Sequence, residues 1–154
     1  MVAQTIEKVV ELPAEIHETS GLEYFEGNFL THNDRGGKPI LYLFSEAGEF
    51  IENHLILNAE NKDWEDLTKD ENLIYISDTG NNFGNRKKLK ILMVDPDKNF
   101  EVAGEIKVNY KNQKNFKKRK KHDYDAEAIA AVPKSLVLFS KNRKTFTTEL
   151  YFIP

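Results

Sequence analysis

One pattern occurs three times along this chain, and it limits the fold more than any single residue does. The first copy runs Thr19-Ser20-Gly21-Leu22, then Asn28-Phe29-Leu30-Thr31-His32-Asn33-Asp34, then Ile40-Leu41-Tyr42-Leu43-Phe44. The second runs Trp64-Glu65-Asp66-Leu67, then Asn72-Leu73-Ile74-Tyr75-Ile76-Ser77-Asp78, then Leu89-Lys90-Ile91-Leu92-Met93-Val94. The third runs Ala126-Glu127-Ala128-Ile129, then Ser135-Leu136-Val137-Leu138-Phe139-Ser140-Lys141, then Glu149-Leu150-Tyr151-Phe152-Ile153. Each copy reads as strand, tight turn, strand, polar loop, strand. The apolar runs are short and rich in β-branched and aromatic residues, and Gly, Asn and Asp separate them. No window of helical length carries a 3.6-residue apolar period, so the chain is expected to be all-β.

A fourth strand is expected after the first two copies, at Phe50–Leu57 and Val102–Tyr110. Four antiparallel strands in a unit of roughly 40–50 residues is the plan of a β-propeller blade. The third copy ends at Pro154 without a fourth strand of its own. Residues 1–18, with a strand expected at 4–12, are the candidate to fill that place. The remaining boundaries are blade 1 at 19–61, blade 2 with a basic connection at 62–121, and blade 3 at 122–154.

Three blades do not close a ring, since propellers have about four to eight. An open arc leaves the outer faces of its two end blades in water. At ~25 cal/mol per Å2, several hundred Å2 of bare apolar face costs on the order of 10 kcal/mol, comparable with a domain's whole stability. The expected remedy is a homodimer with blade 3 of each copy on blade 1 of the other, forming six blades about a two-fold axis. The strand at 4–12 would then pair with blade 3 of the partner.

Several multi-residue stretches carry a family resemblance: SGL at 20–22, THNDRGG at 31–37, NKDWEDLT at 61–68, the block from ISDTGNN to RKKLKIL at 76–92, DAEAI at 125–129, and LFSKNRKT with TELY over 138–151. In these the chain resembles bacterial six-bladed propellers with a TolB-like fold, common in Bacteroidetes. The resemblance implies the N-terminal half of such a protein, excerpted or engineered from a six-bladed parent. Related propellers include calcium-dependent lactonases and esterases and phytase-like proteins, a likeness of fold that does not carry function.

Blade topology gathers the polar residues. The start of a blade's first strand and the end of its second lie on one edge. Ser20, Glu65 and Glu127 therefore share a rim with the loops His32-Asn33-Asp34, Asp78-Thr79-Gly80-Asn81-Asn82 and Lys141-Asn142-Arg143. Glu65 and Glu127 are the candidate metal ligands. In a dimer they supply four carboxylates, which a hard cation such as Ca2+ would relieve, with Asn33, Asn82 and Asn142 offering neutral oxygens. The competing reading is that Lys141 and Arg143 neutralise these glutamates in an ion-pair network.

His32, with Asp34 beside it, is the candidate general base, against a hydrogen-bonded turn histidine. Ser20, Asp78, Asn82, Lys141, Asn142 and Arg143 are the candidate ligand-binding residues for a small molecule at the channel. Trp64 is expected to pack between blades. Gly-x-Ser-x-Gly is absent, and the chain has no cysteine, so covalent catalysis has little footing.

The remaining totals narrow the partners. A net charge of −3 gives no overall pull toward nucleic acid or membranes. No apolar stretch approaches the ~20 residues of a membrane span. The N-terminus lacks the apolar centre of a signal peptide, and the compartment stays open. The basic run Lys111–Lys121 is read as a solvated connection, not a nucleic-acid surface, because Asp123 and Asp125 flank it and Phe116 is its single aromatic. Two functions remain. The first is a self-assembling, non-catalytic half propeller serving as scaffold or binding module, without a cofactor. The alternative is a calcium-assisted hydrolase of an ester, lactone or phosphoester at the channel mouth.

Overall fold

The computed structural model describes residues 4, 5, 8 and 10–154, and these form eleven strands and no α-helix. Strands β1 (Thr19–Phe25), β2 (Asn28–Asn33), β3 (Ile40–Phe44) and β4 (Phe50–Leu55) make blade 1. Strands β5 (Asp66–Lys69), β6 (Ile74–Asp78), β7 (Leu89–Asp95) and β8 (Glu101–Val108) make blade 2. Strands β9 (Ala126–Val132), β10 (Ser135–Ser140) and β11 (Leu150–Ile153) make blade 3, which has three strands. Every pairing is antiparallel between chain neighbours. The repeat therefore marks all three blades, and the short third blade is where the sequence places it.

The blades stack face to face, and burial follows from position in the stack. Blade 2 is covered on both faces, so β6 reads Ile-Tyr-Ile-Ser-Asp and is buried at every residue. Ile74 and Ile76 enter a core with Leu30, Leu41 and Leu43 of blade 1, and Trp64 is sealed within it. Tyr75, one residue out of phase, enters the other core with Ile129, Leu136 and Leu138 of blade 3. The outer strand β8 alternates exposed and half-buried residues instead, as period-two side-chain placement requires at a sheet edge.

Side chains stitch the three innermost strands together. The Glu23 carboxylate accepts from Lys69 N at 3.2 Å, Asp66 from Ile129 N at 2.9 Å, and Thr68 Oγ1 from Ala131 N at 3.2 Å. These bonds satisfy backbone donors that the diverging inner edges cannot pair with one another. Gly21 lets β1 come close to β5. A Cβ there would sit 2.6 Å from Leu67 N and 2.8 Å from His32 Nε2, inside any tolerable contact.

The N-terminal segment departs from expectation. Residues 6, 7 and 9 of the expected strand over 4–12 lie outside the described residues, and the described ones form no strand. Val10 and Leu12 reach the Gly48 turn of blade 1, and Asn33 Nδ2 donates to Glu15 O at 2.7 Å. The segment thus crosses blade 1, where Tyr42 is buried with Glu15 nearby. The Asn33 side chain, bonded to Glu15 O and Glu18 N, holds it there. The outer face of blade 1 is accordingly part covered, not wholly bare.

Candidate functional site

The registers Thr19 with Asn33, Asp66 with Ser77 and Ala126 with Ser140 bring first-strand starts and second-strand ends to one rim in all three blades. The polar loops converge there. Ser20 Oγ donates to the carbonyl of Glu65 at 2.6 Å, joining blade 1 to blade 2. A cavity of about 800 Å3 opens instead at the opposite rim between blades 2 and 3, beside Asp70 and Lys134. It gathers none of the clustered carboxylates.

A recurring Asp-x-Glu motif organises the rim. Asp63-Trp64-Glu65 and Asp125-Ala126-Glu127 place two carboxylates two residues apart at the start of blades 2 and 3. In extended chain such a pair points to the same side. The D-x-E spacing was the available signal for Asp63 and Asp125.

The two motifs are treated differently. In blade 3, Asp125 is 0% exposed and forms a short ion pair with Arg143 Nε. It also accepts from Asn81 N at 2.6 Å. Arg143 continues to Glu127 at 3.0 Å, and Lys141 reaches the other Glu127 oxygen at 3.0 Å. Asn82 Oδ1 accepts from the same guanidinium. Arg143 and Lys141 together therefore neutralise the motif.

Among the described residues, no cation pairs with the blade 2 motif. Asp63 and Glu65 lie with Asp34, one carboxylate oxygen of each within 4.8 Å of the others. Arg86 is engaged by Asp78 at 2.7 Å and by the Gly80 carbonyl. Burial, with Glu127, Asp63, Asp125 and Asp34 close by, pushes Glu65 from its usual 4.5 up to about 8. Burial also raises Asp63, although Arg86 opposes it. Gly80 makes room for the pair, since a Cβ there would collide with Glu65 Oε1 and lie 2.6 Å from Asp63 Oδ2.

The other candidates fall as follows. His32 is 0% exposed, with Nδ1 against its neighbour's carbonyl, Asn33 O, at 2.9 Å and its ring edge-on to Trp64. Burial lowers its pKa. It is therefore a neutral core histidine, and the structure keeps it from any molecule at the mouth. Asp78 is fully buried and bonded to Arg86 and Asp63 N. Asn142 caps its own turn through Lys144 N and Thr145 N. Of the expected metal pair, Glu127 is held by basic side chains, and Glu65 sits instead with Asp34 and Asp63. The basic connection is not wholly solvated: Gln113 is buried with Nε2 donating to Gly84 O, and Lys118 lies over Phe83.

The chain is an all-β protein of propeller type, built of stacked antiparallel blades with a polar mouth. Among solved structures it is similar to the glutaminyl cyclase of Myxococcus xanthus, with a TM-score of 0.52 and 15% identity over 89% of this chain. It spans 57% of the length of that structure. At this identity the likeness is one of fold. No family model and no curated protein matches the chain.

Proposed function

We propose that this chain is half of a six-bladed, TolB-like propeller that closes by pairing with a second copy and offers its polar mouth as a binding surface. The observation that carries the reading is the pair of apolar outer faces. On blade 1 the face holds Leu22, 59% exposed, with Tyr24, Phe29 and Phe44 in an aromatic ladder beside it. On blade 3 it holds Phe139, Leu150 and Phe152, the last 67% exposed. Side chains of this size repeat in the buried blade–blade cores of the same chain, so each face has the chemistry of a missing neighbour. A stable interface buries ~800 Å2 per partner, and a closed ring of two chains would be held by two such contacts. The binding role rests on the converged loops. His32, the expected general base, is buried against Trp64, which favours a binding module over the hydrolase.

Light scattering tests this. The 17.8 kDa chain is expected at about twice that mass at micromolar concentration. Phe152→Glu, which sets a charge in the joint, is expected to return it to the single-chain mass with its β-sheet spectrum intact. A wild-type chain at 17.8 kDa at every concentration would overturn the reading.

A further inference from the structure

We infer that Asp34, Asp63 and Glu65 form a binding site for one divalent cation of the hard, oxygen-seeking class, with Ca2+ the best fit. The inference concerns a single chain and stands whether or not two copies join.

The site is more than a group of acids. Asp63 is 7% exposed and its Oδ1 has no hydrogen-bond partner. A desolvated carboxylate oxygen without a donor is costly, and this carboxylate lies within the 4.8 Å cluster. No ion pair involves Asp34, Asp63 or Glu65 among the described residues. Gly80 leaves its side-chain space to the Asp63 and Glu65 oxygens.

The neighbouring motif supplies an internal comparison. Where D-x-E recurs at Asp125 and Glu127, the fold sets the Arg143 guanidinium against both carboxylates. The Asp63 and Glu65 copy gains a third carboxylate, Asp34, from the adjoining loop. One arrangement brings its own positive charge, and the other is built to receive one.

The donors choose the cation. All three are carboxylates, with no imidazole among them, and the chain has no thiol. Such a set suits Ca2+, which takes roughly six to eight oxygens in flexible geometry, better than zinc or copper. The half-buried Asp34 and Glu65 leave the outer side open to water, which completes the shell.

Trp64, the chain's single tryptophan, lies in sequence between two of the ligands and gives a direct readout. The full chain, freed of metal with a chelator, is titrated with Tb3+, and emission sensitised through Trp64 is followed. Saturation at one ion per chain, reversed by Ca2+ and not by Na+, is expected. Glu65→Gln, and separately Asp34→Asn at the half-buried edge, should each weaken Ca2+ by at least about tenfold, the scale of losing a metal-site group. Asp95→Asn, at the opposite rim, should leave it unchanged. Far-ultraviolet circular dichroism checks that each variant is folded. Absence of sensitised emission in the wild type, or emission that persists in the folded Glu65→Gln, Asp34→Asn double variant, would overturn the site.

Discussion

Replacing Arg143 with alanine is expected to destabilise the chain by about 3 kcal/mol, the cost of stripping a buried carboxylate of its counter-charge. Asp125 has no exposed surface, and after the change it retains Asn81 N as a donor but no cation. The guanidinium also joins Glu127 and Asn82, so blade 3 loses one of its ties to the blade 2 loop, those through Thr79 and Asn81 remaining. For a chain of this length the melting temperature should fall by roughly 10 °C, read by circular dichroism. The double variant Arg143→Ala, Asp125→Asn should recover part of the loss, because the orphaned charge has gone. An Arg143→Ala protein that melts with the wild type would remove the pair from any role in holding the blades together.

The second large effect concerns Glu65 in chelator-treated protein. Its folded-state value of about 8, against the usual 4.5, means that between these limits the folded chain holds a proton that the unfolded chain has released. By linkage, that proton's contribution is fully present at low pH and fades as pH rises through about 8. Stability should therefore decline from pH 5 to pH 8. The site is partly open to water, so a discounted loss of about 2 kcal/mol is expected. Glu65→Gln cannot ionise and should flatten that slope, gaining most at pH 8. Urea unfolding at several pH values measures it. A Glu65→Gln variant with the wild-type slope would mean that the carboxylate is not held in the strained setting described here.

The two results separate what the sequence discloses from what it hides. Strand runs and turns were legible because β6 and its counterparts carry unbroken apolar segments bounded by Gly, Asn and Asp. The missing fourth strand of blade 3 was legible by comparison with the other two units. Convergence of the loops on one rim followed from topology alone.

What could not be read was which cation reaches which carboxylate. Lys141 and Arg143 lie in one loop, and sequence distance does not say that both turn to Asp125 and Glu127 and leave Glu65 alone. Nor does an Asp-x-Glu spacing announce that its first member is buried. His32 looked available because it ends a strand beside Asp34, but its side chain points into the blade 1 and blade 2 core, against Trp64. The N-terminal segment carried the alternation and β-branched content of a strand. Alternation does not say which edge a strand will meet, and the described residues instead follow blade 1 toward Asn33.

Small-angle X-ray scattering tests most directly whether two chains close a ring. A closed ring of two chains predicts a radius of gyration of about 19 Å or slightly more, with a hollow centre, against about 15 Å for one compact chain. The account predicts the ring at micromolar concentration and its loss in Phe152→Glu. A single-chain profile that does not change with concentration, or a two-chain particle extended end to end, would contradict it.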